Sequence, residues 1–437
     1  MENVLPTPQH LKWADCEIGV IIHCDLETFA VDWQFGDMEH LPKPSCFDPP
    51  QLNTDQWLET AKKLGAKYAV FVAKHGTGFS MWPTKAHDYS VASAPWKNGQ
   101  GDVVADFIRS CKKYDILPGL YCSCPCNLLW KIRNGDPAEA PTPAWFQAYT
   151  DMVKTQLREL WTNYGKLFEI WFDGGLLTPD FSRDVMNMAR ELQPGVIAFQ
   201  GDPKCISSIR WIGNERAEAP IPCRARTSGK STSDGTVEAA HNPVYCGSVD
   251  GGFWFPGEAD MPNRDQHQAF LGGWFWHPGE DDLLYSPAEL LERYYSSVGR
   301  GCNWLLGMPI DNRGLVADAD VRQYEETGNL IRAQYSCLRG KTSGSNLNVL
   351  DIDVPGGEPV DLICVKEDIS KGENVLAYTV SGFDGKHYHT LVSKYDCGHR
   401  SLTRIPAANY RSYRLNLFHT RADCEFGIAE FSLWKRP

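Results

Sequence analysis

Short apolar runs, each followed by a stretch of helical period, recur along most of the chain, and this alternation restricts the possible folds more than any other feature. "IGVIIHC" precedes "TDQWLETAKKLG", "KYAVFVAKH" precedes "GDVVADFIRSCKKYD", and "LPGLYCSC" precedes "AWFQAYTDMVKTQLRELWTNYG". "FEIWFDGG" is followed by "FSRDVMNMARELQ", then come "GVIAFQGD", "SIRWIGNE", "GGFWFPGE" and "GCNWLLGMP" before "DADVRQYEETGNLIRAQY". Runs apolar at consecutive positions read as strands buried on both faces, as in a parallel sheet covered by helices. About eight such strands across residues 18–335 predict a (β/α)8 TIM-like barrel. A doubly wound open sheet is the alternative, and no GxGxxG or GxxxxGKS/T turn supports it.

From about residue 342 the pattern changes to "LNVLDI", "LICVKE", "VLAYTVSGF", "TLVSKYD" and "YRLNLFH", with turns between and no helix. This predicts a C-terminal antiparallel β-sandwich over 342–437, after a barrel over 1–341, with the polar, glycine-containing "RGKTSGSN" as linker. A length of 437 residues suits one large and one smaller domain.

The balance of charges narrows the function classes. A net charge of −12 argues against a surface that tracks phosphates, so nucleic acid is not an expected partner. No apolar run approaches the roughly 20 residues of a membrane helix, so no membrane partner is expected. "MENVLPTPQHLKW" has neither a basic start nor an apolar segment of signal-peptide length. The 15 cysteines suit a reducing, cytoplasmic compartment slightly better than a secreted one, and export stays open if the chain is trimmed. "CSCPCN" (Cys122, Cys124, Cys126) has CxC rather than CxxC spacing and reads as structural or free thiols, so no metal and no cofactor are expected.

Active sites of such barrels gather at the C-terminal ends of the strands. The runs end in His23, His75, Tyr121 with Ser123, Asp173, Asp202, Glu215 and Glu258, which closure would turn towards one cavity. A lone histidine is ordinarily a satisfied core residue, but two at strand ends favour a site. Glu258 is either a loop-tip charge or a ligand for a hydroxyl deep in the pocket. Glu218 reads as a surface charge, Asp48, Asp55 and Asp102 as turn or N-cap residues, and Trp57 and Trp161 as core. Two carboxylates over one cavity, without a metal cluster or a nucleotide loop, point to glycoside hydrolysis. Asp173, short and held on a central strand, suits the nucleophile; Glu215, longer and beside a loop, suits the acid/base. A separation of about 5–5.5 Å would retain anomeric configuration and roughly 6.5–9.5 Å would invert it, a gap that sequence does not measure.

Several stretches, in order, resemble the α-L-fucosidases of glycoside hydrolase family 29: "FDPPQLNTDQWLETAKKLGAKYAV", "AKHGTGF", "WPTKAHDYSV", "GDVVADF", "QLRELWTNYG", "IWFDGG", "RWIGNE", "WFWHPGEDD" and "SVGRGCNWLLGMPIDNRGL". The similarity runs from about Trp13 to Gln334. It implies a retaining, exo-acting hydrolase of terminal fucose on a fucosylated oligosaccharide or glycoconjugate, with Asp173 of "WFDGG" as nucleophile. "RWIGNE" and "WFWHP" are similar to the subfamily that cleaves α-1,3 and α-1,4 linkages, which implies Glu215 as acid/base. The resemblance also implies that His23 and His75 bind fucose hydroxyls and that Tyr121 and Trp171 line the pocket. Trp171, or Trp274, Phe275 and Trp276 of "WFWH", would meet the sugar's methyl group, and His277 would add a polar contact or only pack. Three departures stand out: Gly76 and Thr77 replace the histidine and aspartate of the family's "KHHDGF", Cys24 and Asp25 follow His23 in place of "WG" or "FG", and "SCPCN" replaces "SPWD". A hydrolase of a related sugar such as a galactoside, and a non-catalytic carbohydrate-binding barrel, are the alternatives.

Overall fold

A computed structural model describes residues 4–137, 142–228 and 243–437. Eight parallel strands close into a barrel in sequence order: β1 (Ile18–His23), β2 (Tyr68–Lys74), β3 (Leu117–Cys122), β4 (Glu169–Trp171), β5 (Ile197–Phe199), β6 (Ser208–Trp211), β7 (Gly257–Met261) and β8 (Asn303–Pro309). Closure is made by β8 on β1, in register from Ile18 opposite Trp304 to His23 opposite Pro309. Every residue of β1, β2 and β8 is buried, as expected for strands covered on both faces.

The helices begin where the local chemistry starts them. Asn53 caps Thr54–Leu64, Asp102 caps Val103–Tyr114, and Thr142, Thr178 and Ser286 cap Pro143–Thr162, Pro179–Leu192 and Pro287–Ser296. In the last three a proline occupies the first turn, where the missing N–H costs nothing. Asp102 is thus the expected cap, whereas Asp55 lies one residue inside its helix and Asn53 does the capping. Trp57 and Trp161 are core residues. Asp318–Gln334 completes the outer layer after β8. Among the described residues no helix joins β5 to β6, and those between β6 and β7 include a short helix, Pro243–Cys246, and a two-stranded ribbon, Arg226–Thr227 with Phe253–Trp254.

That ribbon corrects one sequence expectation. "GGFWFPGE" is not one strand: Phe253–Trp254 belongs to the ribbon, and the barrel strand starts afterwards at Gly257. Glu258 therefore enters near the beginning of β7 and points into the barrel interior, where it is fully buried. Tyr68 donates its hydroxyl to Glu258 Oε1 at 2.6 Å, and the Trp171 indole donates to Oε2 at 3.0 Å. Glu169, the first residue of β4, is also fully buried and faces Glu258. Trp13, on the helix Pro8–Ala14, is buried in the same apolar cluster, and its carbonyl accepts from the Asn303 amide at 2.6 Å.

The C-terminal region is a sandwich of two four-stranded antiparallel sheets. Its strands are β9 (Leu338–Ser345), β10 (Val349–Asp353), β11 (Val360–Glu367), β12 (Val375–Phe383), β13 (Tyr388–Tyr395), β14 (Ser401–Ala408), β15 (Ser412–Thr420) and β16 (Gly427–Trp434). One sheet has the order β9-β16-β11-β14 and the other β10-β15-β12-β13. Leu350, Ile352, Val380 and Leu415 of one sheet share a core with Ile363, Val365, Phe431 and Leu433 of the other. "RGKTSGSN", expected as a linker, lies almost wholly within β9, an edge strand paired with β16, so the expected boundary at 341/342 falls inside a strand. Its polar residues are those an edge strand tolerates. The sandwich docks on the side of the barrel where the strands begin: Lys366 and Arg400 both pair with Glu17, which precedes β1, and Arg404 pairs with Glu292.

The buried Glu169–Glu258 pair couples stability to pH. Burial, then the neighbouring Glu258, raises the Glu169 pKa well above the carboxylate range, and burial pushes Glu258 up to about 7. Because the folded state holds these protons above the unfolded pKa of about 4.5, their contribution is complete below that pH and is lost as pH rises towards 7 and beyond. Glu169→Gln should therefore flatten the decline of unfolding free energy between about pH 5 and 7.5 in urea titrations; an unchanged slope would contradict the assignment.

Candidate active site

The mouth of the barrel, at the C-terminal ends of its strands, holds a cavity of about 220 Å³. This lies below the roughly 300–1,000 Å³ of drug-sized pockets and suits a single sugar ring. Seven strands supply its lining: Ile21 and His23 from β1, His75 just past β2, Tyr121 from β3, Trp171 with Asp173 and Gly174 from β4 and its turn, Phe199 and Gln200 from β5, Trp211 and Glu215 from β6, and Asp260 from β7. No residue of the sandwich takes part.

The floor is aromatic. Trp171 lies flat on Phe199, with ring centroids 3.8 Å apart and planes 4° apart, and Tyr121 stacks on the other side of Trp171 at 5.2 Å. Each ring is buried, and the polar tip of each tryptophan or tyrosine finds an acceptor, as buried aromatic heteroatoms require. The acceptor for the Tyr121 hydroxyl is Asp173 Oδ2 at 2.9 Å. Burial and the charge of Asp173 hold the Tyr121 phenol well above its ordinary pKa, so it remains a donor. Asp173 itself is exposed at the mouth, on a turn where Gly174 and Gly175 both have positive φ, 67° and 79°. A side chain at Gly174 would strain this turn and approach Pro125 to 3.3 Å.

Glu215 stands across the same cavity. It reaches solvent on one side, yet enough protein surrounds its carboxyl for burial to raise its pKa, with the charge of Asp173 adding to the rise and the Trp274 indole, 3.2 Å from Oε2, opposing it. The pocket therefore holds two carboxyl groups in different settings: one accepts a hydrogen bond from a phenol, and the other has a raised affinity for its own proton. Such a difference in surroundings is what acid/base chemistry by two carboxyl groups needs.

His23 is buried and has its pKa lowered well below the ordinary value by burial and then by His75, so it is a neutral imidazole. Its ring lies 5.2 Å from both Trp274 and Phe275, and His75 lies 4.9 Å from Phe275. His75 Nδ1 is 3.0 Å from Glu27 Oε1.

His23, His75, Tyr121, Trp171, Asp173 and Glu215 are brought together, and two expected positions require correction. Glu258 does not line the cavity; it lies beneath it, because its strand begins four residues later than the apolar run suggested. Trp276 is half-buried outside the cavity, since Phe275 turns inward against the two histidines and leaves Trp274 on the pocket side. His277 packs on Phe270 at 4.9 Å. Asp202 caps its own turn through the Lys204 amide, and Glu218 pairs with Arg293 and Arg216. Ser123 is buried and does not line the cavity.

Sequence reasoning missed Asp260, Gln200 and Trp211. Asp260 is buried in the pocket wall and accepts from the Trp211 indole at 2.8 Å; burial, followed by the charge of Glu215, raises its pKa well above the carboxylate range. Gln200 has φ of 53° at the pocket edge, and its Oε1 has no partner among the described residues. The alternation of "GEADM" from Glu258 to Asp260 was the available signal for Asp260, because two residues on from an interior side chain comes another interior side chain.

Comparison with known proteins identifies the lineage. The α-L-fucosidase family profile matches residues 12–334. "Alpha-L-fucosidase 1" of Arabidopsis thaliana is 31% identical over 343 residues, which cover 76% of this chain and 61% of that protein. The crystal structure of a Bacteroides thetaiotaomicron protein provisionally named an α-L-fucosidase superposes with a TM-score of 0.90 at 28% identity, covering 100% of both chains. A glycoside hydrolase 29 family member from an unknown rumen bacterium superposes with a TM-score of 0.83 at 26% identity, covering 100% of this chain and 78% of the other. The chain belongs to the α-L-fucosidase family, glycoside hydrolase family 29.

Proposed function

We propose that this protein is a retaining, exo-acting α-L-fucosidase that releases terminal α-1,3- or α-1,4-linked fucose from branched glycans. The observation that carries the reading is the pairing of Asp173 and Glu215 on one monosaccharide-sized cavity, the first receiving the Tyr121 hydroxyl and the second having a raised pKa. A pocket with a closed aromatic floor admits a chain end and not a chain interior, which supports exo action.

In this mechanism Asp173 attacks the anomeric carbon as Glu215 protonates the departing glycosidic oxygen, giving a covalent fucosyl-enzyme. Glu215, now a carboxylate, removes a proton from water, and that water displaces Asp173 with a second inversion, so the product keeps the α configuration. The Tyr121 hydroxyl bond to Asp173 holds the nucleophile in place and gains strength when the carboxylate regains its charge on departure. His23, a neutral imidazole, and His75 provide polar contacts for ring hydroxyls, while Trp171, Phe199 and Ile21 offer an apolar surface for the methyl group that fucose carries in place of a hydroxymethyl. Trp274 borders Glu215 at the mouth, where the leaving sugar must sit, and the "RWIGNE" and "WFWHP" stretches that supply these residues support the α-1,3/1,4 preference.

The reading is tested with a panel of fucosylated oligosaccharides of differing linkage, following the product by NMR from the first turnover. α-L-fucose should appear first and from α-1,3/1,4 linkages; β-L-fucose first would exclude retention, and release only from α-L-galactosides would change the sugar. Asp173→Asn should fold normally and lose turnover by at least about three orders of magnitude, or roughly 4 kcal/mol of transition-state stabilisation. The same substitution removes the charge that helps raise the Glu215 pKa, so the Glu215 carboxyl should titrate at lower pH in the variant, measured by carbon NMR, with burial still acting on it. Glu215→Ala should be rescued by azide on an aryl fucoside with formation of α-fucosyl azide; rescue at Glu218→Ala instead would move the acid/base role.

A further inference from the structure

We propose that Glu27 is a positioning residue that fixes His75 in the tautomer protonated at Nδ1, so that Nε2 presents a lone pair to a sugar hydroxyl; this rests on reading the pocket as a fucose site. Glu27 lies on the short helix Leu26–Phe29 directly after β1 and is fully buried. A carboxylate in that position is costly unless paired. Its partner is His75 Nδ1, 3.0 Å from Oε1, while Oε2 has none among the described residues. A carboxylate can only accept, so Nδ1 carries the hydrogen and the other ring nitrogen is left for the pocket.

Asp25 secures the same corner from one step closer to β1. It is fully buried, caps the short helix by accepting from the Leu26 amide at 2.6 Å, and accepts the Thr77 hydroxyl at 2.9 Å. Thr77 Oγ also accepts from the Phe79 amide, so the turn that carries His75 is held to the loop after β1 by side-chain hydrogen bonds. The imidazole is packed by Phe35 at 5.8 Å, Phe275 at 4.9 Å and Tyr121 at 6.0 Å, which restricts its rotation. Ring orientation and proton position are thus set by different groups: aromatics for the plane, Glu27 for the proton.

The test uses the full-length protein labelled with 15N-histidine, with His75 resonances identified by their loss in His75→Gln. Long-range proton–nitrogen spectra of the wild type should show His75 protonated at Nδ1, and L-fucose should shift its Nε2 signal. Glu27→Gln should remove that tautomer preference and weaken L-fucose binding, measured calorimetrically, tenfold or more, with unchanged circular dichroism. A wild-type His75 protonated only at Nε2 would overturn the proposal whether or not the variant folds, as would unaltered tautomer and affinity in Glu27→Gln. Since ligand atoms of Asp25, Glu27 and His75 lie within 4.8 Å of one another, metal analysis is included: a stoichiometric divalent cation whose removal by EDTA moves the His75 signals would also overturn it. A wild type that binds no L-fucose would sink the fucosidase reading alone, because the tautomer measurement still decides the role of Glu27.

Discussion

A single buried carboxyl group, Glu258, supports the floor on which the pocket rests. The interior of an eight-stranded barrel is filled by side chains and has no bulk water to satisfy polar tips. Tyr68 and Trp171 both enter it, and both donate to Glu258. With its N–H committed downward, Trp171 is held flat against Phe199, and Tyr121 stacks on the opposite side with its hydroxyl on Asp173. A continuous series of contacts therefore runs from the barrel interior to the carboxylate at the mouth. Leaving either donor without its acceptor would cost about 1–3 kcal/mol, and at Trp171 would free a ring that forms the pocket surface.

The opposite wall depends on the loop between β7 and Pro287–Ser296, and its neck is closed by polar groups from the final barrel helix. Arg264 and Asp320, both fully buried, form an ion pair at 2.6 Å; the Asn263 amide donates to Asp320, and Gln323 donates to the carbonyls of Asn263 and Tyr285 at either end of the loop. Removing one partner of such a pair strands a buried charge, which is why so long an excursion can present Trp274 at a fixed place. Gly307 of β8 makes room for it: a Cβ there would stand 2.9 Å from the indole and 3.0 Å from the Pro262 backbone. Glu215, which follows β6, thus receives its indole hydrogen bond from a residue whose place is set by the loop after β7, by Gly307 of β8 and by the final barrel helix.

Much of this was legible in the sequence because burial on both faces leaves a continuous apolar run, and runs of that kind marked β1 to β6, with their polar endings, and β8. His23, His75, Tyr121, Asp173 and Glu215 were found in that way. The method failed where apolar residues served another purpose. "GGFWFP" is rich in aromatics because it builds a ribbon, and it masked the true start of β7, so Glu258 was placed at a strand end while Asp260, two residues further on, went unnoticed. Gln200 and Trp211 were overlooked because their neighbours carried the more reactive groups. Trp274 and Trp276 could not be told apart in a segment where the packing of Phe275 decides which indole faces the pocket. "RGKTSGSN" looked like a linker because an edge strand with one open side needs no apolar alternation.

The departures from the family's usual residues become intelligible once the corner formed by β1, β2 and β3 is considered as one unit. A side chain at Gly76 has no room, since its Cβ would lie 2.8 Å from the Phe35 ring and 2.9 Å from Cys126 Sγ. Phe35 and Cys126 thus fill the volume in which the resemblance would place a second histidine, and Cys126 belongs to the altered "SCPCN" segment. Thr77, where the resemblance would place an aspartate, is a hydroxyl donor, and the acid it meets is Asp25 from the altered loop after β1. The three local changes are in contact with one another: acidity has moved from the turn after β2 to the loop after β1, and the vacated space has been closed by an aromatic ring and a thiol. The corner meets the rest of the pocket at Tyr121 of β3, whose ring packs on His75 at 6.0 Å while its hydroxyl donates to Asp173, so the altered residues lie one side chain away from that carboxylate.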